Sequence, residues 1–307
     1  MTIYKERITA YAKINLFLKV CGKRQDGYHL LSTLMQSVSI CDYVTVECSD
    51  SALKDGLEPG ISLMSDAAYI PGDARNTAYK AARAFLNVLE RQNISVKIYI
   101  QKGIPIQSGM AGGSADAAAV LRALARVFPA AASEGDLLDM AARIGADVPF
   151  CMEGGTQLCE GIGDILTSVP SLRGLPLLFI KPKCSISTPW AFSMFDNLPP
   201  VSKGRDEKDE ALQKFLLSQA GMDPVQRVIN AAPFLYNDLE DVADRDYPIL
   251  SDIRTYLMDQ GAVAARMSGS GSTVYGIFAD EMTRNTALER AGDYQGMGFF
   301  VKAGETV

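Results

Sequence analysis

Histidine is nearly absent from this chain: His29 is the one histidine in 307 residues. A His-rich metal site is thereby excluded, and a Ser-His-Asp hydrolase would have to use His29 itself. The six cysteines (Cys21, Cys41, Cys48, Cys151, Cys159 and Cys184) are scattered and form no Cys-x-x-Cys pair. Reduced, mostly buried thiols are expected, rather than a disulfide framework or a zinc site. No apolar run reaches the ~18 residues of a membrane span. The opening Met-Thr-Ile-Tyr-Lys-Glu-Arg lacks the apolar core of a signal peptide, so a cytoplasmic protein with no membrane association is expected. Basic residues are not in excess either: 30 Lys and Arg face 36 Asp and Glu, for a net charge of −6. That argues against nucleic acid as a partner and leaves room only for a local basic pocket.

What is present describes a folded protein. Hydrophobic residues make up 48% and charged ones 21%, and the length suggests two domains. The most informative stretch is 103–119, Gly-Ile-Pro-Ile-Gln-Ser-Gly-Met-Ala-Gly-Gly-Ser-Ala-Asp-Ala-Ala-Ala. An alternating run, Ile94 to Ile100, precedes it and reads as a half-buried strand. An Ala-, Leu- and Arg-rich run to Val127 follows and reads as a helix. Gly109, Gly112 and Gly113 therefore sit in a loop that opens a helix. There the unpaired N–H groups and the helix dipole favour an anion such as phosphate. A tight connector of small residues is the plain alternative. The loop matches neither Gly-x-x-x-x-Gly-Lys-Ser/Thr nor Gly-x-Gly-x-x-Gly, so neither a P-loop nor a Rossmann or protein-kinase site is indicated.

Other candidates lie far from this loop in sequence. From Ile8 to Val20 every even position is apolar, a period of two that predicts a strand. Lys13 and Asn15 share its other face with Tyr11 and Phe17, which is not the composition of a bare surface. Asp26-Gly27 is a turn signal, and Tyr28-His29 then places an aromatic ring beside a donor/acceptor ring, either a pair suited to stacking on a base or a buried tyrosine beside a surface histidine. Ser133 to Asp136 reads as a capping box and Gly145 as a helix stop. Asp147 follows as a lone carboxylate in apolar company, either a turn residue or a group able to handle a proton. Short strands are expected at 156–160, 165–169 and 177–181. A linker is expected at 199–210, and helices at 209–220 and 247–260. A strand should end at Met267, before the Gly-Ser turn Ser268-Gly269-Ser270-Gly271, where a plain hairpin is the competing reading.

Taken together, Ala12-Lys-Ile-Asn-Leu16, the loop Pro105 to Ala115, and Met267-Ser-Gly-Ser-Gly271 resemble the three signatures of the GHMP kinase superfamily. Gly22-Lys-Arg-Gln-Asp-Gly-Tyr-His29 and Ile144-Gly-Ala-Asp-Val-Pro-Phe150 are similar to segments of its branch that acts on a cytidyl-diphosphate sugar alcohol. The resemblance runs from about residue 8 to 279. It implies an α+β, two-domain GHMP kinase fold with the active site in the inter-domain cleft. Residues 1–163 would form the N-terminal, ATP-binding domain and 164–307 the C-terminal one. The implied reaction moves the γ-phosphoryl group of ATP to the 2-hydroxyl of that small-molecule substrate, with Mg²⁺, in the non-mevalonate route to isoprenoids. The protein would act as a monomer or homodimer.

By the same resemblance Lys13 and Asp147 are the catalytic pair. Pro105, Ile106, Gln107, Ser108, Gly109, Met110, Ala111, Gly112, Gly113, Ser114 and Ala115 wrap the ATP phosphates. Asn15, Tyr28, His29 and Phe192 bind the substrate. Phe192 is chosen over Trp190 as the wall of the cytosine pocket. Ser268 to Gly271 form the third glycine-rich motif. The Mg²⁺ ligands are not legible: Ser114 and Asp116 could serve, and Asp116 fits a first-turn helix acid equally well. Two departures stand out. Tyr11 replaces the usual Pro and Met110 the usual Leu; the latter conserves volume and should be tolerated.

Overall fold

The computed structural model describes residues 3–50, 60–89, 94–198, 212 and 221–307. Helices and strands are mixed throughout, as expected. The described chain forms two compact units. The first comprises residues 1–12, 40–104 and 111–153; the second comprises 13–39, 105–110 and 154–307. These units interleave along the chain. The cause is the length of two strands, β1 (Ile3–Lys23) and β2 (His29–Asp50), at 21 and 22 residues. Each contributes to both units.

The burial of β1 follows the predicted alternation only at first. Ile8, Ala10 and Ala12 are buried while Tyr11 stays 42% exposed. From Ala12 to Leu18 every residue is buried, the polar Lys13 and Asn15 included. The face predicted to be half-polar is therefore covered where the functional candidates sit.

In the first unit β3 (Ile61–Ser65) leads to α1 (Thr77–Leu86), β4 (Ile94–Gln101), α2 (Gly112–Val127), α3 (Glu134–Ile144) and α4 (Val148–Glu153). β4 pairs parallel with β3 and antiparallel with residues 43–50 of β2. It buries Ile94, Val96, Ile98 and Ile100, the apolar face read from the sequence. α2 buries Ala115, Ala117, Ala118, Ala119 and Ala123, and these small side chains let it pack closely on α1. Asn76 caps α1 by accepting from Ala78 N at 2.9 Å. Both bonds of the Ser133–Asp136 capping box are present. Gly145 follows α3 with φ 177°, an extended backbone open to any residue, so it is not a left-handed helix stop.

In the second unit β5 (Thr156–Glu160) pairs antiparallel with β6 (Ile165–Ser168) and with residues 33–36 of β2. The later elements are β7 (Pro176–Lys181), α5 (Thr188–Phe195), α6 (Pro224–Ala231), α7 (Glu240–Asp246) and α8 (Ile249–Asp259), then β8 (Ala264–Met267) and β9 (Val274–Ile277). They end with α9 (Glu281–Arg290), α10 (Gly292–Gly296) and β10 (Phe300–Glu305). A four-stranded antiparallel sheet runs β10-β7-β9-β8. β7 lies inside it and is buried at all six positions. The expected linker at 199–210 and, but for Leu212, the helix at 209–220 lie outside the described residues.

Candidate active site

Lys13 is the buried centre of the second unit's site. Its side chain lies on β1, 4% exposed, and Nζ donates to Asn15 Oδ1 at 2.8 Å. Asn15 in turn donates from Nδ2 to Thr33 Oγ1 at 2.9 Å, and Thr33 donates to the Phe17 carbonyl at 2.6 Å. The Tyr275 hydroxyl donates to the Asn15 carbonyl at 2.7 Å. Burial drives the Tyr275 phenol far above its ordinary value, so it stays a neutral donor. The ammonium is thus oriented by a carboxamide anchored on Thr33, on a backbone that Tyr275 holds, an arrangement that fixes a charge in space.

Two turns close on this lysine. The Lys13 backbone N–H donates to the Met110 carbonyl at 3.1 Å, tying the end of the 105–110 loop to β1. The loop is conformationally demanding: Gln107 has φ 46° and Gly109 φ 75°. A Cβ at Gly109 would run into the Ser268 carbonyl, so only glycine fits there. The second turn, 268–271, answers it. Ser268 Oγ donates to the Gly109 carbonyl at 3.0 Å, and Thr273 N donates to the Ser108 carbonyl at 3.1 Å. Ser270 Oγ lies 3.0 Å from Thr188 Oγ1. Gly269 faces the lysine: a Cβ there would stand 3.3 Å from Lys13 Nζ and 3.4 Å from Asn15 Oδ1. The hairpin expected here exists, since β8 and β9 pair antiparallel across the turn. The same turn also packs against the glycine loop and the lysine.

In the first unit the glycine run is already helical. α2 starts at Gly112, earlier than the sequence suggested, with Ala111 left-handed at φ 58° and no side chain capping the first turn. Uncapped N–H groups at a helix N-terminus suit phosphate. Thr77 Oγ1 donates to the Gly113 carbonyl at 2.6 Å. The first unit also holds a buried charge cluster that sequence reasoning missed. Lys102 Nζ pairs with Asp42 Oδ2 and, at 2.9 Å, with Asp116 Oδ2. Asp42 also accepts the N–H groups of Gly103 and Ile104 at 2.6 and 2.8 Å. A Cβ on Gly112 would stand 3.5 Å from Lys102 Nζ.

Asp116 Oδ1 is buried with no partner. Burial pushes this carboxyl up, against the pull of Lys102. An acid so enclosed and already paired does not fit a Mg²⁺ ligand. Among the described residues no group of three or more His, Cys, Asp or Glu could hold a metal ion. Asp147, half-buried, stands directly before α4, its carbonyl accepting from Cys151 N at 3.1 Å.

The aromatic candidates gather in the second unit. Tyr28, 60% exposed, follows the turn at Gly27 (φ 91°). His29 stacks on Phe192 of α5, ring centroids 4.7 Å apart and 17° between planes. No third ring fits between rings so spaced, so Phe192 backs His29 instead of facing it across a slot. Trp190 packs edge-on against Tyr247, so of the two aromatic candidates on α5 it is Phe192 that reaches His29. His29 Nε2 lies 2.7 Å from Asp196 Oδ1, and Lys23 Nζ lies 2.5 Å from Asp196 Oδ2. The bond to His29, then that to Lys23, hold the Asp196 carboxyl below the usual carboxylate range. Asp196 has no motif around it; its partner lies 167 residues away in sequence.

This lysine, the glycine turns and an uncapped helix start belong to a recognised class. The GHMP kinase N-terminal family model matches residues 76–155 and the GHMP kinase C-terminal model matches 217–295. The chain is a GHMP kinase, and these kinases use ATP. Closer relatives narrow the class. It is 40% identical over 284 residues to the 4-diphosphocytidyl-2-C-methyl-D-erythritol kinase of Acetivibrio thermocellus, covering 92% of this chain and 93% of that one. It is 38% identical over 285 residues to that of Clostridium botulinum strain Alaska E43, covering 92% and 94%. A crystal structure of a 4-(cytidine 5'-diphospho)-2C-methyl-D-erythritol kinase superposes with a TM-score of 0.73 at 29% identity, covering 98% of this chain and 99% of the other. The chain belongs to the 4-diphosphocytidyl-2-C-methyl-D-erythritol kinase family.

Proposed function

We propose that Lys13 and Asp147 are the catalytic pair with which this kinase moves the γ-phosphoryl group of ATP to the 2-hydroxyl of 4-diphosphocytidyl-2-C-methyl-D-erythritol. The observation that carries the reading is the buried lysine, its ammonium held by Asn15 at 2.8 Å against a glycine turn. The substrate hydroxyl oxygen attacks the γ-phosphorus, the bond to the β-phosphate oxygen breaks, and ADP leaves. Asp147 takes or orients the hydroxyl proton. Lys13 stabilises charge on the transferring group. Phosphoryl transfer demands mainly positioning and charge stabilisation, so two such groups and a phosphate cradle suffice.

Residues 105–115 wrap the ATP phosphates, with the first amides of α2 donating to them. Mg²⁺, if carried on those phosphates as this ion commonly is, would supply further neutralisation of their charge. Tyr28 stacks on the cytosine and His29, braced by Phe192 and Asp196, reads its edge. Asn15 organises Lys13 and contacts the substrate. Lys13→Ala and Asp147→Ala should each lower kcat by roughly 10²–10⁴-fold while circular dichroism stays native. A kcat near wild type in either folded variant would remove that residue from the pair.

A further inference from the structure

The turn that faces Lys13 is held from outside by one short segment. Asn237, 4% exposed, uses both N–H bonds of its carboxamide on the turn: Nδ2 donates to the carbonyls of Met267 and Gly269, each at 2.8 Å. Its Oδ1 accepts from Leu239 N at 2.9 Å, which fixes the orientation of the amide. Three residues on, Glu240 Oε1 accepts from Met267 N at 2.6 Å. The segment is itself fastened to the strand that carries the lysine. Leu18 N donates to the Tyr236 carbonyl at 2.9 Å and Asp238 N to the Leu18 carbonyl at 3.0 Å. Val20 N donates to Asp238 Oδ2 at 2.8 Å. The path therefore closes on itself. It runs from β1 to Asn237, from Asn237 to the turn, and from Gly269 back to Lys13 and Asn15.

We infer that Asn237 is a positioning residue for phosphoryl transfer, fixing the 267–269 backbone and through Gly269 the place of the Lys13 ammonium. The inference rests on the reading of Lys13 as catalytic. The carboxamide suits the task because a neutral side chain supplies two donors to two buried carbonyls. A carboxylate of the same shape has none to give. Misplacing a catalytic group by about 1 Å can cost 10²-fold in rate, so a second-layer residue can matter this much.

The test compares Asn237→Asp, which keeps the shape and removes the donors, with Asn237→Ala, Gly269→Ala and Lys13→Ala. Each is assayed with ATP and the cytidyl substrate after its fold is checked by circular dichroism. Folded Asn237 variants should lose about 10- to 100-fold in kcat, with KM for both substrates within about 3-fold of wild type. Wild-type kcat, or a loss that appears mainly in both KM values, would overturn the positioning role. Should neither Asn237 variant fold, Gly269→Ala decides. Its Cβ would crowd the Gly109 carbonyl at 3.1 Å and Lys13 Nζ at 3.3 Å, and it should show the same drop in kcat. Turnover within 2-fold of wild type there would sink the inference. Full activity in Lys13→Ala would instead sink the lysine reading beneath it.

Discussion

Asp196 serves two partners at once, His29 at 2.7 Å and Lys23 at 2.5 Å, and so fixes the ring that Phe192 backs. Because its carboxyl is held below the usual carboxylate range, first by the bond to His29 and then by that to Lys23, it stays charged throughout the neutral range. Asp196→Asn keeps the shape and weakens both contacts. It should raise KM for the cytidyl substrate about 3- to 10-fold with little change in KM for ATP. Tyr28→Ala removes a ring from the same group and should raise the cytidyl KM by roughly 10-fold, in keeping with the value of stacking a base on an aromatic ring. Equal effects on both KM values would place the two residues outside the cytosine site. Tyr28 and His29 stood out in the sequence because a turn signal and two adjacent rings are local features. Asp196 did not, because its meaning depends on a partner 167 residues away. Asn237 was hidden for the same reason: its two acceptors lie 30 and 32 residues downstream.

α2 carries one member of a buried charge cluster. Lys102 is shared by two carboxylates, Asp42 with no side-chain exposure and Asp116 with 5%, and no other charged partner of the three is described. One negative charge is left unbalanced in a buried place, and burial accordingly pushes the Asp116 carboxyl up. The sign follows from linkage. A carboxyl with a raised folded value lends stability below its unfolded value near 4, and that stability is lost as the pH rises through the folded value. Asp116→Asn should therefore gain thermal stability over wild type as pH climbs from about 4 to 8, by a few degrees in Tm. Thermal melts across that range check it, and a difference independent of pH would mean that Asp116 is held fully ionised by Lys102. At this scale β4 and the capping box of α3 were legible because they obey a simple period and a simple cap. The first half of β2 offers no such period. Its residues 32–38 are buried on both faces, with Gln36 bonding Thr156 at 2.5 Å, and an element without a wet face gives no alternation to read. β10 was missed for the opposite reason: none of its six residues is fully buried.

For the whole molecule, fold and substrate part company. A homoserine kinase from Cytophaga hutchinsonii superposes with a TM-score of 0.76 at 19% identity, slightly above the 0.73 of the cytidyl-substrate kinase at 29%. Backbone likeness is shared across the superfamily and so cannot pick the acceptor alcohol. On the proposed reading, the acceptor is picked by side chains suited to a cytidyl group: an exposed ring at Tyr28 and a ring at His29 braced by Phe192 and Asp196. Homoserine and mevalonate carry no base, so they would leave these groups without an occupant and forgo the binding free energy they offer. That energy acts on the transition state as well as on the ground state, and a truncated acceptor should lose in kcat as well as in KM. The cytidyl diphosphate alcohol should therefore exceed homoserine, mevalonate and galactose in kcat/KM by at least about 10³-fold, roughly 4 kcal/mol. The comparison is made in one ATP-coupled assay at matched enzyme concentration. Tyr28→Ala should close part of that gap by weakening only the cytidyl acceptor. Comparable kcat/KM for any of the three smaller alcohols would assign the aromatic group to another role and overturn the specific substrate.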